Sequence, residues 1–99
     1  MIVIVGSARV RAERREEAVA AAIEMAALSR AEPGCALYEV SVTLEDPCRF
    51  RLVEQWDSGE ALAAHFATAH FAAFGARLAG FLVAPPSFTR YEVSSSSAL

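Results

Sequence analysis

The sequence contains no lysine, and all nine of its basic residues are arginine. These arginines are scattered or interleaved with glutamates, as in Arg14-Arg15-Glu16-Glu17, and they form no basic stripe. The formal net charge is −3 at pH 7. A nucleic-acid-binding surface requires clustered positive charge, so this composition disfavours nucleic acid as a partner.

Cysteine is also scarce, with only Cys35 and Cys48 present. Two cysteines are too few for a disulfide scaffold, and their spacing matches no zinc motif. The hairpin predicted below places one at its turn and the other near the far end of a strand, beyond the reach of a disulfide. Free thiols are expected, and they indicate a reducing cytoplasm.

Long hydrophobic runs are missing as well. No segment approaches the roughly 20 apolar residues that are needed to cross a bilayer, so no membrane partner is expected. The apolar start, residues 1–5, is short and has no basic region before it, so it is predicted to be a strand and not a signal peptide. The sequence has no glycine-rich phosphate loop and no nucleophile elbow, which disfavours NAD, FAD and ATP sites.

Apolar residues are abundant by contrast, at 55% of a chain of 99 residues. This length suffices for one compact domain, predicted over residues 1–93, followed by a polar tail at 94–99 that is expected to be disordered. A small domain has too much surface to hide so many apolar side chains in one copy. We therefore expect a homo-oligomer.

The hydrophobic periodicity predicts six elements in the order β-α-β-β-α-β, the second helix being interrupted once. The strands are predicted at 2–10, 35–45, 49–56 and 87–93, and the helices at 13–30, from 57 to about 67, and at 69–80. Right-handed crossovers make this an α+β ferredoxin-like antiparallel sheet with both helices on one face. The bare face, with part of Ile2–Val5, Leu37 and Val53, needs a cover, and a second copy is the simplest one.

Two polar features qualify this pattern. The apolar sets of the two hairpin strands share a face only if the loop is odd in length or a bulge is present, and Glu54 then lies on that face. A buried carboxylate requires a partner or a raised pKa, and we expect an ion pair with one of the arginines.

At the turn after this strand, Asp57 is the predicted N-cap of the second helix, with Glu60 reaching back to it. Thr68 is the predicted cap of the segment that follows the interruption.

The two histidines invite a metal site, but their spacing argues against one. On a continuous helix, His65 and His70 point about 140° apart. No cysteine or acidic residue is predicted to complete a ligand set, so no metal is expected. His70 shares a row with Phe66 and Phe74 and is predicted to pack in the core. His65 is predicted on the helix flank beside a cleft, where a half-exposed imidazole can exchange a proton near neutral pH.

Several segments together resemble the antibiotic biosynthesis monooxygenase family. They are Glu32-Pro-Gly-Cys-Ala-Leu-Tyr38, Asp46-Pro47, FRLVEQW at 50–56, Ala61-Leu-Ala-Ala-His65 and Thr68-Ala-His70-Phe71. The resemblance covers about residues 2–93 and implies a dimeric α+β barrel. Family members include quinol monooxygenases and enzymes that oxidise polyketide anthrones without metal or flavin. Others degrade haem, and many have no known substrate.

The resemblance also suggests roles for individual residues. His65 matches the histidine of the family's Ala-Leu-x-x-His pattern and is the candidate catalytic group. Trp56 matches the tryptophan of its Glu-x-Trp pattern. The candidate substrate contacts are Trp56, Phe66, Phe71, Phe74 and Ser7. The haem-degrading branch has an asparagine on the first strand and a tryptophan and a histidine on the second helix, where this chain has Ser7, His65 and Phe74 or a neighbour, so haem degradation is disfavoured.

The hypothesis from the sequence is therefore a small homodimeric monooxygenase that oxidises a quinol or another phenolic aromatic with O₂ and uses no cofactor. A deprotonated dihydroxyarene can pass an electron to O₂ itself, so the protein needs an apolar pocket, a base and control of water. The alternative is a non-catalytic dimer that binds a small aromatic ligand.

Overall fold

A computed structural model describes all 99 residues of the chain. Four strands, a short 3₁₀ helix and three α-helices follow one another. The strands are β1 (Ile2–Arg9), β2 (Cys35–Thr43), β3 (Asp46–Trp56) and β4 (Ser87–Glu92). The 3₁₀ helix spans Ala12–Arg14, and the α-helices are α1 (Arg15–Arg30), α2 (Gly59–Phe66) and α3 (Ala69–Phe81).

The four strands form one sheet in the order β2-β3-β1-β4, and every neighbouring pair is antiparallel. This order and the helical connections define the ferredoxin-like α+β fold, which confirms the predicted fold class. The helices pack on one face of the sheet, where two apolar clusters join helical and strand residues. No helix of the chain is long and apolar enough to span a bilayer.

Local capping decides where the helices begin. Ser58, and not the predicted Asp57, is the N-cap of α2, and its side chain accepts a hydrogen bond from the backbone N–H of Ala61. Thr68 caps α3 as predicted and accepts from the N–H of Phe71. The helix predicted from residue 13 begins in α form only at Arg15, since the residues before it form the 3₁₀ turn.

The β2–β3 hairpin has the predicted face but a different turn. The strands close around Leu44 and Glu45, and β3 begins at Asp46, three residues earlier than predicted. A register shift between Val42 and Thr43 marks a bulge, which satisfies the requirement stated above. Tyr38 pairs with Glu54 and Val42 with Phe50, so the two apolar sets share the helix-facing side of the sheet.

The core contains two clusters. One surrounds Trp56, the largest fully buried side chain, and the other surrounds Phe50 and Phe81. Four alanines of α1 are buried and allow close approach to the sheet, namely Ala18, Ala21, Ala22 and Ala26, whereas Ile23 is 66% exposed.

The opposite face of the sheet carries no helix. Because side chains alternate along a strand, Val3 and Val5 point away from the buried Ile2 and Ile4, and Val53 pairs with Val5. These valines and Leu37 are only partly buried. Both cysteines are free, as expected. Residues 94–99 contain no regular helix or strand.

Candidate active site

A cavity of about 380 Å³ lies between the helix-facing side of the sheet and helices α2 and α3. This volume is within the range of small-molecule sites. Phe66, Phe71 and Phe74, three of the predicted substrate contacts, line it. The ring centroids of Phe66 and Phe71 are 5.1 Å apart. The remaining lining residues are Ile4, Met25, Tyr38, Leu52, Glu54, Leu62, His65, Gly75, Leu78, Phe88, Thr89 and Arg90.

His65 lines this cavity but is almost completely buried, with 1% of its side chain exposed. The prediction of a half-exposed imidazole is therefore wrong. The ring centroid of His65 lies 4.6 Å from that of Trp56, and Nδ1 is 2.7 Å from Oε2 of Glu32. A carboxylate only accepts hydrogen bonds, so Nδ1 carries the proton and a neutral His65 has its lone pair on Nε2.

Glu54 is buried beside His65 in the lining of the cavity. The predicted ion pair with an arginine is wrong, because the carboxylate contacts Trp56 and His65. Its Oε1 accepts a hydrogen bond from Nε1 of Trp56 at 2.9 Å and lies 3.8 Å from Nε2 of His65. Burial raises the pKa of Glu54, while the indole N–H and the nearby imidazole oppose this effect. Strand residues i and i+2 share a face, so the sequence did contain a signal for Trp56 as the partner.

Trp56 differs from its predicted role as a pocket contact. Its side chain is 0% exposed and is not among the residues that line the cavity. The indole lies behind His65 and Glu54, where it packs against the imidazole and donates to the carboxylate. Trp56 therefore supports the groups that line the cavity.

His70 and Glu32 extend the polar cluster towards solvent. Nε2 of His70 lies 2.8 Å from the same Oε2 of Glu32 that contacts His65. The side chain of His70 is 21% exposed, so the prediction of a core histidine is wrong. The break between α2 and α3 brings the two imidazoles to a ring distance of 6.1 Å, which the geometry of a continuous helix does not allow.

Glu32 was not a candidate from the sequence, because it reaches the histidines from the loop after α1. Gly34 shapes this loop with φ of 83°, a conformation that favours glycine. A Cβ at Gly34 would also lie 2.6 Å from the Cβ of Ala61 in α2. The carbonyl of Gly34 accepts from the N–H of Asp57 at 2.9 Å, which ties the Glu32 loop to the start of α2.

Glu32, His65 and His70 are also the residues that could hold a metal ion, since their ligand atoms lie within 4.8 Å of one another. The prediction that no acidic residue joins the histidines is wrong in this respect. In the present geometry both imidazole nitrogens are at hydrogen-bond distance from one carboxylate oxygen. The two imidazoles thus act as hydrogen-bond donors, and the carboxylate of Glu32 is their shared acceptor.

Ser7 is separated from this cluster. Its hydroxyl accepts a hydrogen bond from Nε of Arg49 at 3.4 Å, and both residues belong to the helix-free face of the sheet by their register. Ser7 borders a second, smaller cavity near Gly6 and Phe88 and does not line the one that contains His65.

The floor of the larger cavity is polarised. Tyr38, Glu54, Ile4 and Arg90 occupy one row across the four strands by register. Burial, reinforced by Glu54, raises the pKa of the Tyr38 hydroxyl, which therefore stays protonated. Strands lie about 4.8 Å apart, so Arg90, the only cationic residue lining the cavity, is roughly 10 Å from Glu54 along the row.

An apolar cavity between a ferredoxin-like sheet and its helices, with a histidine and a glutamate in its lining, defines a small α+β domain with an internal cavity. The family model for antibiotic biosynthesis monooxygenase matches residues 1–77. The chain belongs to the antibiotic biosynthesis monooxygenase family.

Individual relatives agree with this assignment. The chain is 35% identical over 94 residues to the "Putative monooxygenase YcnE" of Bacillus subtilis, covering 95% of this chain and 99% of that protein. A crystal structure of a "putative antibiotic biosynthesis monooxygenase" from Deinococcus radiodurans superposes with a TM-score of 0.94 at 27% identity, covering 100% and 98% of the two chains. Rv0793 from Mycobacterium tuberculosis shares the fold, with a TM-score of 0.90, 22% identity and 98% coverage of both chains.

Proposed function

We propose that this protein is a monooxygenase that oxidises a quinol or another phenolic aromatic with O₂ and needs neither metal nor flavin. The overall reaction balances without an external reductant, since a quinol and O₂ give a hydroxyquinone and water. One oxygen atom enters the ring and the other leaves as water. The four electrons come from the organic substrate, so the protein has only to bind, deprotonate and shield it.

One observation carries this proposal: the largely apolar cavity of about 380 Å³ has both His65 and Glu54 in its lining. His65 is the proposed base, because Nδ1 is occupied by Glu32 and Nε2 is left to accept a phenolic proton. The phenylalanines supply flat apolar surface for an aromatic ring. Deep burial of the base keeps water from competing with O₂ chemistry.

The polar groups at the two ends of the cavity floor narrow the range of substrates that fit. Tyr38 and Glu54 lie at the end of the row that is nearest to His65, the proposed base, and Arg90 lies at the other end. A fused aromatic with a hydroxyl at one end and a carboxylate or carbonyl oxygen at the other fits this arrangement. The side chain of Arg90 is 49% exposed, so its guanidinium favours an anionic group on the substrate without excluding neutral groups.

The first test is O₂ uptake with a panel of hydroquinones and anthrones. Gly75 lines the cavity, and a Cβ at this helical position meets no atom within 4 Å, so a larger side chain fits without distorting the backbone. We expect Gly75→Phe to reduce kcat/KM at least tenfold by occupying cavity volume, a loss of about 1.4 kcal/mol in transition-state stabilisation. Gly75→Ala is the matched control, and it is expected to retain activity and to stabilise α3 by about 0.5–1 kcal/mol.

Absence of O₂ uptake with every compound of the panel would contradict the proposal. If the same compounds nevertheless raised the Tm in proportion to their concentration, the chain would be a ligand-binding domain without catalysis. Haem titration is a further arm of the experiment. A shifted Soret band would favour the haem-degrading branch.

We also propose that the functional unit is a homodimer in which the helix-free face of the sheet packs against a second copy. The support is the row of valines and Leu37 on that face, which no helix covers. Removing such side chains from water contributes about 25 cal/mol per Å² of apolar surface.

Light scattering is expected to give twice the chain mass of 10.6 kDa at micromolar concentration. Val53→Glu places a charge at the centre of the helix-free face and is expected to yield monomer, because burying an unpaired carboxylate is unfavourable. Ile23→Glu, on the exposed side of α1, is the control and is expected to leave the mass unchanged. A wild-type mass of 10.6 kDa would overturn the dimer.

A further inference from the structure

We propose that Glu32 and His70 are positioning residues that fix the tautomer of His65 and thereby keep Nε2 free for the substrate. This inference rests on the proposed function, because it assigns His65 as the base. Neither residue lines the cavity that contains His65. They act through a chain of two hydrogen bonds, from Nε2 of His70 to Oε2 of Glu32 and from Nδ1 of His65 to the same oxygen.

The first step of the argument concerns the proton on His65. A free imidazole side chain exchanges its proton between Nδ1 and Nε2, and only the Nδ1–H form has a lone pair on Nε2. Glu32 selects this form, since its carboxylate oxygen, 2.7 Å from Nδ1, can only accept. A carboxylate that holds the second nitrogen of a histidine has the same effect in hydrolase triads and around metal ions.

The second step concerns Glu32 itself. The side chain of Glu32 is 12% exposed and belongs to a loop, so a single contact to His65 would leave its carboxylate free to turn towards water. His70 donates to the same oxygen from the first turn of α3 and so fixes the carboxylate from a second side. Exposure rises along the series, from 1% at His65 through 12% at Glu32 to 21% at His70.

The third step is the origin of this geometry. The hydroxyl of Thr68 donates to the carbonyl of His65 at 2.8 Å and accepts from the N–H of Phe71 at 3.2 Å. It thereby ends α2 and starts α3, which turns His70 back towards His65. Other charged groups near His70 are Glu24 and Arg77, which face it across a surface groove and pair with each other at 3.2 Å.

The test combines kinetics with ¹⁵N NMR of the imidazole nitrogens. In the wild type we expect His65 to show the Nδ1–H tautomer. Glu32→Gln offers an amide N–H as well as a carbonyl, so it no longer enforces this tautomer, and we expect kcat to fall about a hundredfold or more with little change in KM. His70→Leu removes the second donor and is expected to reduce kcat several-fold, whereas His70→Gln keeps an N–H donor and is expected to restore most of it.

The NMR measurement needs no turnover, so it separates this inference from the proposed function. An Nε2–H tautomer of His65 in the wild type would overturn the positioning role even in an active enzyme. Equal losses of kcat in His70→Leu and His70→Gln, with a lowered Tm and an unchanged tautomer of His65, would mean that Glu32 and His70 have only a structural role. Stoichiometric Zn²⁺ binding that is abolished by His70→Leu would also overturn it, because the three side chains would then be metal ligands.

Discussion

Substitution of His65 by alanine is expected to lower the rate of O₂ uptake by about a hundred- to ten-thousandfold, the range that a positioned acid–base group contributes. His65 is the only histidine that lines the cavity, and its Nε2 carries the lone pair that can accept a proton there. Glu54 cannot take over fully, since its Oε1 accepts from Trp56 and burial disfavours its charged form. The measurement is kcat/KM with the best compound of the hydroquinone and anthrone panel.

Loss of a buried side chain also affects folding, so a second variant accompanies the first. His65→Gln fills most of the same volume but carries no titratable nitrogen, and it is expected to lose activity while retaining a cooperative unfolding transition. Leu44→Ala, at a side chain that is 99% exposed in the hairpin loop, is the control with unchanged rate. Equal rates in wild type and His65→Ala would remove His65 as the base.

Substitution of Trp56 by alanine is expected to lower the free energy of unfolding by about 3–5 kcal/mol, the largest loss among the variants proposed. The indole is fully buried between the sheet and α2, and its removal leaves a large void and an unpaired carboxylate at Glu54. A domain of this size has a free energy of unfolding of roughly 5–15 kcal/mol, so the variant is expected to lose a large share of its stability. Urea denaturation followed by circular dichroism measures the difference.

The matched variant Trp56→Phe keeps a buried aromatic ring and removes the N–H donor to Glu54. Burial already raises the pKa of this carboxyl group, and loss of the donor raises it further. Between the ordinary glutamate pKa of about 4.3 and this raised value, the folded state binds more protons than the unfolded state, so stability falls as pH rises. The cost of Trp56→Phe is therefore expected to be smallest below pH of about 4 and to increase towards neutral pH.

Denaturation curves of both proteins across a pH series provide this measurement. Glu54→Gln removes the titrating group, and in that background the cost of Trp56→Phe is expected to become nearly independent of pH. A cost of Trp56→Phe that decreases with rising pH would show that Glu54 does not govern this part of the pH dependence.

The fold was predictable because it depends on local patterns. Alternation located the hairpin, and helical periodicity located α1. The hydroxyl of Thr68 correctly marked the start of α3. The choice between Asp57 and Ser58 as N-cap was wrong, since adjacent capping residues differ only in backbone geometry that the sequence does not encode locally.

The candidate site was predictable only in part. The cavity-lining residues His65, Phe66, Phe71 and Phe74 lie close together in the sequence, and the family resemblance identified them as candidates. Glu32 comes from another loop, and no periodicity connects it with His65. The convergence of the two histidines depends on the angle between α2 and α3, which the five-residue spacing does not reveal. Burial of His65 was missed because a flank position on a helix becomes interior when aromatic neighbours enclose it.

The stacking of Trp56 on His65 makes the protein a fluorescent reporter of its own interior. Trp56 is the only tryptophan of the chain, so all indole emission originates 4.6 Å from the imidazole ring centroid. Indole emission depends on the groups that contact the ring, and these include the imidazole of His65 and the carboxylate of Glu54. Emission intensity therefore reports changes around these two groups without any label. An aromatic compound that enters the cavity is expected to alter the same signal, which gives substrate searches an optical readout before any turnover is known.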